Sequence, residues 1–307
     1  RAVGKGRMWV MEQQPGPVNW APYNPAPLPG MARLWAWEAF AHGAETVCYF
    51  RWRQAPFAQE QMHTALNRPD NSPDRGMLEA IEVAGELASL PEAETEQASV
   101  ALVFDYASLW ATEIQPQGAN YDGFNLVFEF YRALRKLGQS VDILPPSASF
   151  DGYKFIAVPH LLMLDEECVD RLKSSGAQLL FGPRAGSRTA DHQIPNKLPP
   201  GNLQKLLPIK VQRVESIRPG NQIAVGHTGA VHSWFEHLEC GDGVDVLHED
   251  KDGRPVCVSA NSAHYIAGWP DENLLNEIVR HCLEAAKVET IETGEDLRIR
   301  DRGSLRT

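Results

Sequence analysis

The sequence predicts an α/β protein in two parts: the C-terminal portion of a (β/α)8 barrel, then a doubly wound parallel sheet. Three observations carry this. An apolar run of β-propensity residues ends in an acid at Glu12, and a helix-like segment and a second short apolar strand follow it, the order of a parallel crossover unit. After an acidic, polar linker at 91–97, strand-like and helix-like segments alternate again from Ser99 onward. The 307 residues suffice for about two domains with ordinary cores.

In order, the first strand runs through Met8, Trp9, Val10 and Met11 and stops at Glu12, because Pro15, Gly16 and Pro17 follow. The acid thus stands at the mouth of a buried strand, where a parallel α/β barrel keeps its chemistry. Pro22, Pro25, Pro27 and Pro29 make 23–30 a loop, since none suits a helix interior or a central strand. Met31, Leu34, Trp35, Trp37, Phe40 and Ala41 then form a helix that starts near Pro29 and Gly30 and stops at Gly43. Its apolar residues spread over more than one stripe, which predicts packing on two sides. Thr46 to Phe50 reads as a short strand buried in a parallel sheet. Arg51, Trp52 and Arg53 follow, then a polar loop with Glu60 and His63, then a helix from about Arg75 to Leu90. That is about a quarter of a barrel, since the whole fold takes ~250 residues.

In the second part, strands are expected at 99–104, 141–144, 155–159 and 178–181. Helices are expected at Tyr121 to Leu137, ended by Gly138, and at Asp165 to Ser174, with Asp165 as N-cap. The stretch Asp105 to Asn120 reads as an exposed loop edged by the aromatic residues Tyr106, Trp110 and Tyr121. From Val211 onward shorter strands dominate, until an amphipathic helix from Glu272 to Ala286. This alternation predicts a flavodoxin-like domain over 98–288, and 289–307 reads as the start of a small β domain.

A net charge of −11 argues against nucleic acid or an anionic membrane as partner. No apolar run approaches the ~20 residues that span a bilayer. Five scattered cysteines without CxxC spacing indicate neither a disulfide framework nor a zinc knuckle; buried thiols in a reducing, cytoplasmic compartment account for them. Gly182 to Arg188 follows a strand but lacks both GxGxxG and a GK[ST] ending. His232 to His237 fits neither HExxH nor HxxEH. No cofactor or metal is expected.

Glu12 and Trp20 suit an enzyme acting on a sugar ring: a carboxylate attacks or stabilises the anomeric carbon, and an indole stacks on C–H faces. The bland alternative is a Glu that caps a helix or meets an Arg. Glu60 and His63 would reach the same hydroxyls if their loop is helical there, because i and i+3 share a face; the alternative is a solvated pair.

The segments MWVMEQQPGPVNWAPYNP and FRWRQAPFAQEQMH resemble glycoside hydrolase family 42, the retaining β-galactosidases. The resemblance implies that Glu12 is the nucleophile closing barrel strand seven, that Trp20 and Phe50 line the sugar site, and that Glu60 and His63 bind galactosyl hydroxyls. It divides the chain into the end of the catalytic barrel at 1–92, a trimerisation domain at 98–288 and the first residues of a small β domain at 289–307. It also implies a β-galactoside substrate and a homotrimer. The family's acid/base Glu, preceded by Asn, falls upstream of residue 1, so the chain alone is expected to be inactive for want of a general acid. The second domain resembles the glutamine-amidotransferase fold, but Pro159 and His160 stand where that fold carries a nucleophilic Cys, so the domain is expected to be catalytically dead. The competing reading is an inert flavodoxin-like assembly or binding module.

Overall fold

The structure is a computed structural model and describes residues 7–91, 96–116, 118–294, 296–303 and 305–307. It divides into two units, Arg1–Glu96 with Arg300–Thr307, and Gln97–Ile299. Part of the expected linker at 91–97 lies outside the described residues.

The first unit contains β1 (Met8–Gln13), α1 (Met31–Ala41), β2 (Ala44–Tyr49) and α2 (Arg75–Ala88). β1 and β2 pair in parallel, with Val10 opposite Val47 and Gln13 opposite Tyr49, so the expected crossover unit is present, but the strands are not buried as expected: only Ala44 is, and Trp9 and Met11 are exposed. The start of α1 has no Ser, Thr or Asp to cap it. Instead the buried Glu79 carboxylate of α2 accepts from Gly30 N at 2.8 Å and Arg33 N at 3.0 Å, satisfying orphan donors and placing negative charge at the positive end of the helix dipole. Glu86 ties the same two helices from its side, accepting from Arg33 and, at 2.6 Å, from Trp37 Nε1. Only the alanine stripe of α1, Ala32, Ala36 and Ala41, is buried, while Leu34 is exposed.

The second unit contains β3 (Val100–Val103), α3 (Tyr106–Ile114), α4 (Gly123–Lys136), β4 (Val141–Leu144), β5 (Phe155–Val158), α5 (Glu166–Ser174), β6 (Gln178–Phe181), β7 (Ile209–Ser216), β8 (Ile223–Val225), β9 (Gly229–Cys240), β10 (Asp245–Glu249), β11 (Pro255–Ala260), β12 (Ala263–Ile266), β13 (Gly268–Pro270) and α6 (Glu272–Ala285). Seven strands form a sheet in the order β10-β11-β12-β6-β5-β3-β4, parallel from β12 to β4 and antiparallel at β10 and β11. Every residue of β3 and β5 is buried, as a parallel sheet covered on both faces requires. This is the doubly wound sheet that the alternation predicts. A second sheet of β13, β9 and β7, with β8 on β9, is antiparallel.

Three expectations need correction. The exposed loop at 105–120 is largely helix: the Asp105 carboxylate accepts from Ser108 N at 2.9 Å and caps α3. Tyr121 is buried rather than exposed, and α4 begins after it, capped by Asp122. Gly123 opens that helix because a Cβ there would stand 2.6 Å from His160 Nε2. Beyond residue 211 the strands are not uniformly short, since β9 has 12 residues.

The segment 289–307 holds a two-residue hairpin, β14 (Asp301–Arg302) with β15 (Leu305–Arg306), that groups with the first unit. Arg302 lies 4.1 Å from the Phe40 ring centroid and donates to Phe40 O at 2.7 Å. Among the described residues no helix is long and apolar enough to cross a membrane.

Candidate active site

Because β1 and β2 are parallel neighbours, their carboxyl ends open to the same side. Glu12 is at that end of β1 and is exposed. Phe50 N donates to Gln13 O at 3.2 Å, which sets Phe50 against the residue next to Glu12. The loops beyond the two strands are packed on each other: Thr64 N donates to Pro17 O at 3.0 Å, and a Cβ on Gly16 would stand 2.6 Å from Thr64 Cγ2. Only glycine fits that approach.

The loop after β2 is closed at its base by Leu66 N donating to Arg51 O at 2.8 Å and Asn67 N to Trp52 O at 2.9 Å. Inside it, Gln54 Nε2 donates to Gln61 O and Gln61 Nε2 to Ala58 O, both at 2.6 Å. The condition of a helical turn at Glu60 to His63 is not met: the segment is a reverse turn with Glu60 in the left-handed region at φ 58°, closed by His63 N donating to Glu60 O at 3.1 Å. The two side chains therefore sit differently. Glu60 is 47% exposed, whereas His63 is 7% exposed and stands edge-on to Phe50 with ring centroids 5.0 Å apart.

Both His63 ring nitrogens are buried without a hydrogen-bond partner among the described residues, an arrangement that favours a ligand able to supply one. Arg51 completes the group, with Nη1 3.9 Å from Glu60 Oε2 and its guanidinium 5.2 Å from the Phe50 centroid. His63 thus packs on Phe50, while Glu60 stays exposed on the same loop and reaches Phe50 only through Arg51, with Glu12 at the adjoining strand end. Trp20 is 73% exposed. No sequence pattern marks Arg51 for a role beyond its place two residues after the last residue of β2. Among the described residues no group of three or more His, Cys, Asp or Glu is arranged to hold a metal ion.

In the second unit, a doubly wound sheet offers a binding crevice outside the carboxyl ends of β3 and β5, where the strand order reverses. Here its side chains bond to one another, beside an open hollow lined by Leu109, Thr112, Tyr121 and Gly123. His160, just past β5, lies 3.2 Å from Tyr121 OH, 3.3 Å from Ser108 O and 3.4 Å from Thr112 Oγ1. Ser108 Oγ accepts from Leu162 N at 3.0 Å. Burial, reinforced by the charge of Arg184, pushes the His160 pKa down to about 3. Nearby, the 1% exposed Glu236 accepts from Tyr265 OH at 2.5 Å, Arg184 N at 3.1 Å and Trp234 Nε1 at 3.2 Å. Burial raises its carboxyl pKa above the ordinary range. The Arg184 guanidinium lies 4.7 Å from the Tyr121 ring centroid and 4.9 Å from that of Trp234. In the sequence Glu236 stands only inside a failed zinc motif, since its partners Tyr265 and Arg184 lie far off in the chain.

A family model described as the β-galactosidase trimerisation domain matches residues 98–289, and one described as β-galactosidase, glycoside hydrolase family 42, matches residues 1–90. The chain is 50% identical to a β-galactosidase of Thermus thermophilus over 307 residues, covering 99% of this chain and 47% of that protein. It is 37% identical to the β-galactosidase Bga of Halorubrum lacusprofundi, covering 96% of this chain and 46% of that one. Among solved structures, the β-galactosidase from the psychrophilic Marinomonas ef1 superposes with a TM-score of 0.91 at 42% identity, over 99% of this chain and 48% of that one. The chain spans about half the length of the curated relatives it matches. With both of its units matched, the second over more than half of the whole sequence, the chain belongs to the glycoside hydrolase family 42 β-galactosidases.

Proposed function

We propose that the protein to which this chain belongs hydrolyses terminal, non-reducing β-D-galactose residues with retention. Glu12 attacks the anomeric carbon; a carboxylate–C1 bond forms as the glycosidic C1–O bond breaks, and the leaving oxygen takes a proton from a second acid. That acid is assigned to the part of the relatives outside the match. Trp20 and Phe50 supply apolar faces to the sugar, and Glu60 and His63 bind its hydroxyls. The supporting observation is the packing of Phe50 on buried His63, whose ring nitrogens have no hydrogen-bond partner among the described residues, beside the end of the strand that carries Glu12.

Residues 98–289 mediate self-association into a trimer and carry no chemistry of their own, a reading supported by the match to the trimerisation-domain model and by His160, which stands buried among Tyr121, Ser108 and Thr112 where a nucleophile would be needed. The test is a mechanism-based 2-deoxy-2-fluorogalactoside applied to the full-length protein. Mass spectrometry is expected to find the label on the peptide containing Glu12, and a label on any other carboxylate would overturn the assignment.

A further inference from the structure

Arg51 reaches two of the groups assigned to the galactosyl pocket. Its Nη2 donates to Glu60 O at 3.4 Å, its Nη1 lies 3.9 Å from Glu60 Oε2, and its guanidinium stands 5.2 Å from the Phe50 ring centroid. Its own backbone is fixed, because Arg51 O accepts from Leu66 N at 2.8 Å.

Glu60 needs such a partner. It lies on a loop at φ 58°, a conformation that disfavours residues other than glycine, and its long side chain loses rotamer freedom when held in one place. A planar guanidinium can meet the carbonyl and the carboxylate of one residue together, which an ammonium cannot do with the same geometry. The carbonyl it meets also accepts from His63 N at 3.1 Å. Arg51 therefore braces the turn that sets both Glu60 and His63.

We infer that Arg51 is a positioning residue for galactoside recognition: it presents the Glu60 carboxylate to the sugar hydroxyls and does not bind the sugar itself. This rests on the reading of Glu60 as a galactosyl-binding group. The opposing expectation is an exposed ion pair of little consequence, which would leave substrate affinity unchanged.

The experiment measures KM and kcat for a chromogenic β-galactoside, and the melting temperature, in the full-length protein and its R51Q, R51K, E60Q and R51Q/E60Q variants. E60Q is expected to raise KM about 100-fold and R51Q about tenfold, with kcat in R51Q changed about twofold or less. R51K is expected to recover part of the loss, and the double variant to be no worse than E60Q, as coupled neighbours require. Added salt is expected to raise the parent KM and to leave that of R51Q flat, because the half-exposed pair is screened.

A parental KM in R51Q, or a double variant whose defect is the product of the two single ones, overturns the inference and leaves the Glu60 assignment standing. A parental KM in E60Q overturns that assignment and the inference with it. Should R51Q fail to fold, R51K and R51K/E60Q provide the same coupling, and additivity there overturns the inference.

Discussion

The His63 imidazole stands edge-on to the Phe50 ring at 5.0 Å between centroids, and both of its buried nitrogens lack a partner among the described residues. Stability alone would favour an apolar ring here, because an unsatisfied buried polar group costs about 1–3 kcal/mol. The substitution His63→Phe is therefore expected to hold or raise the melting temperature of the full-length protein by a few degrees, while kcat/KM for a β-galactoside falls about 100-fold. Calorimetry and steady-state kinetics on the same preparation check both halves.

Glu12 is expected to be irreplaceable for turnover. Glu12→Gln keeps the shape and removes the nucleophile, so hydrolysis is expected to drop by about four orders of magnitude or more. The 307-residue chain by itself is expected to release no chromophore from a nitrophenyl β-galactoside. Robust turnover by that chain would mean that the proton donor has been misplaced.

His160 is expected to make the second unit acid-sensitive. Its folded pKa of about 3 lies below the ordinary value of 6.5, so the unfolded state takes up the proton first. The stability this neutral ring contributes is intact above pH 6.5 and is lost as pH falls from there toward 3, at up to about 1.4 kcal/mol per pH unit. Denaturant midpoints measured between pH 7 and 4 are expected to fall less steeply in His160→Gln than in the parent.

Tyr265→Phe removes the 2.5 Å donor to Glu236 Oε2 and leaves a buried carboxyl short of a partner. The expected cost is about 1–3 kcal/mol, read as a lower denaturant midpoint. Activity per folded molecule is expected to stay at the parental level, because the second unit has no assigned part in the chemistry.

The full-length protein is expected to scatter light as three chains. A monomeric mass over a wide concentration range would remove residues 98–289 from the proposed assembly role.

Local signals read correctly wherever chain neighbours decide the outcome. The Met8 to Glu12 run followed by Pro15-Gly16-Pro17 marks a strand and its end, though Trp9 and Met11 are exposed and not buried as expected; Asp165 marks the start of α5; the runs expected as strands at 99–104 and 155–159 contain β3 and β5, buried throughout. Local reading failed at 105–120, where Asp105 and Ser108 close a cap that a scan for apolar periodicity passes over.

By itself the sequence determined the strands and helices of the first unit, the parallel strands of the second, and the residue types offered at the strand ends, because periodicity and prolines act within a few residues. The tertiary structure alone decided that Glu60 turns left-handed and stays exposed while His63 is buried against Phe50, that Arg51 meets Glu60 and Phe50, and that Tyr265, Trp234 and Arg184 surround Glu236. Such pairings join residues as much as 52 positions apart, and they exist only once burial strips water from polar groups and leaves each to find its partner elsewhere in the chain.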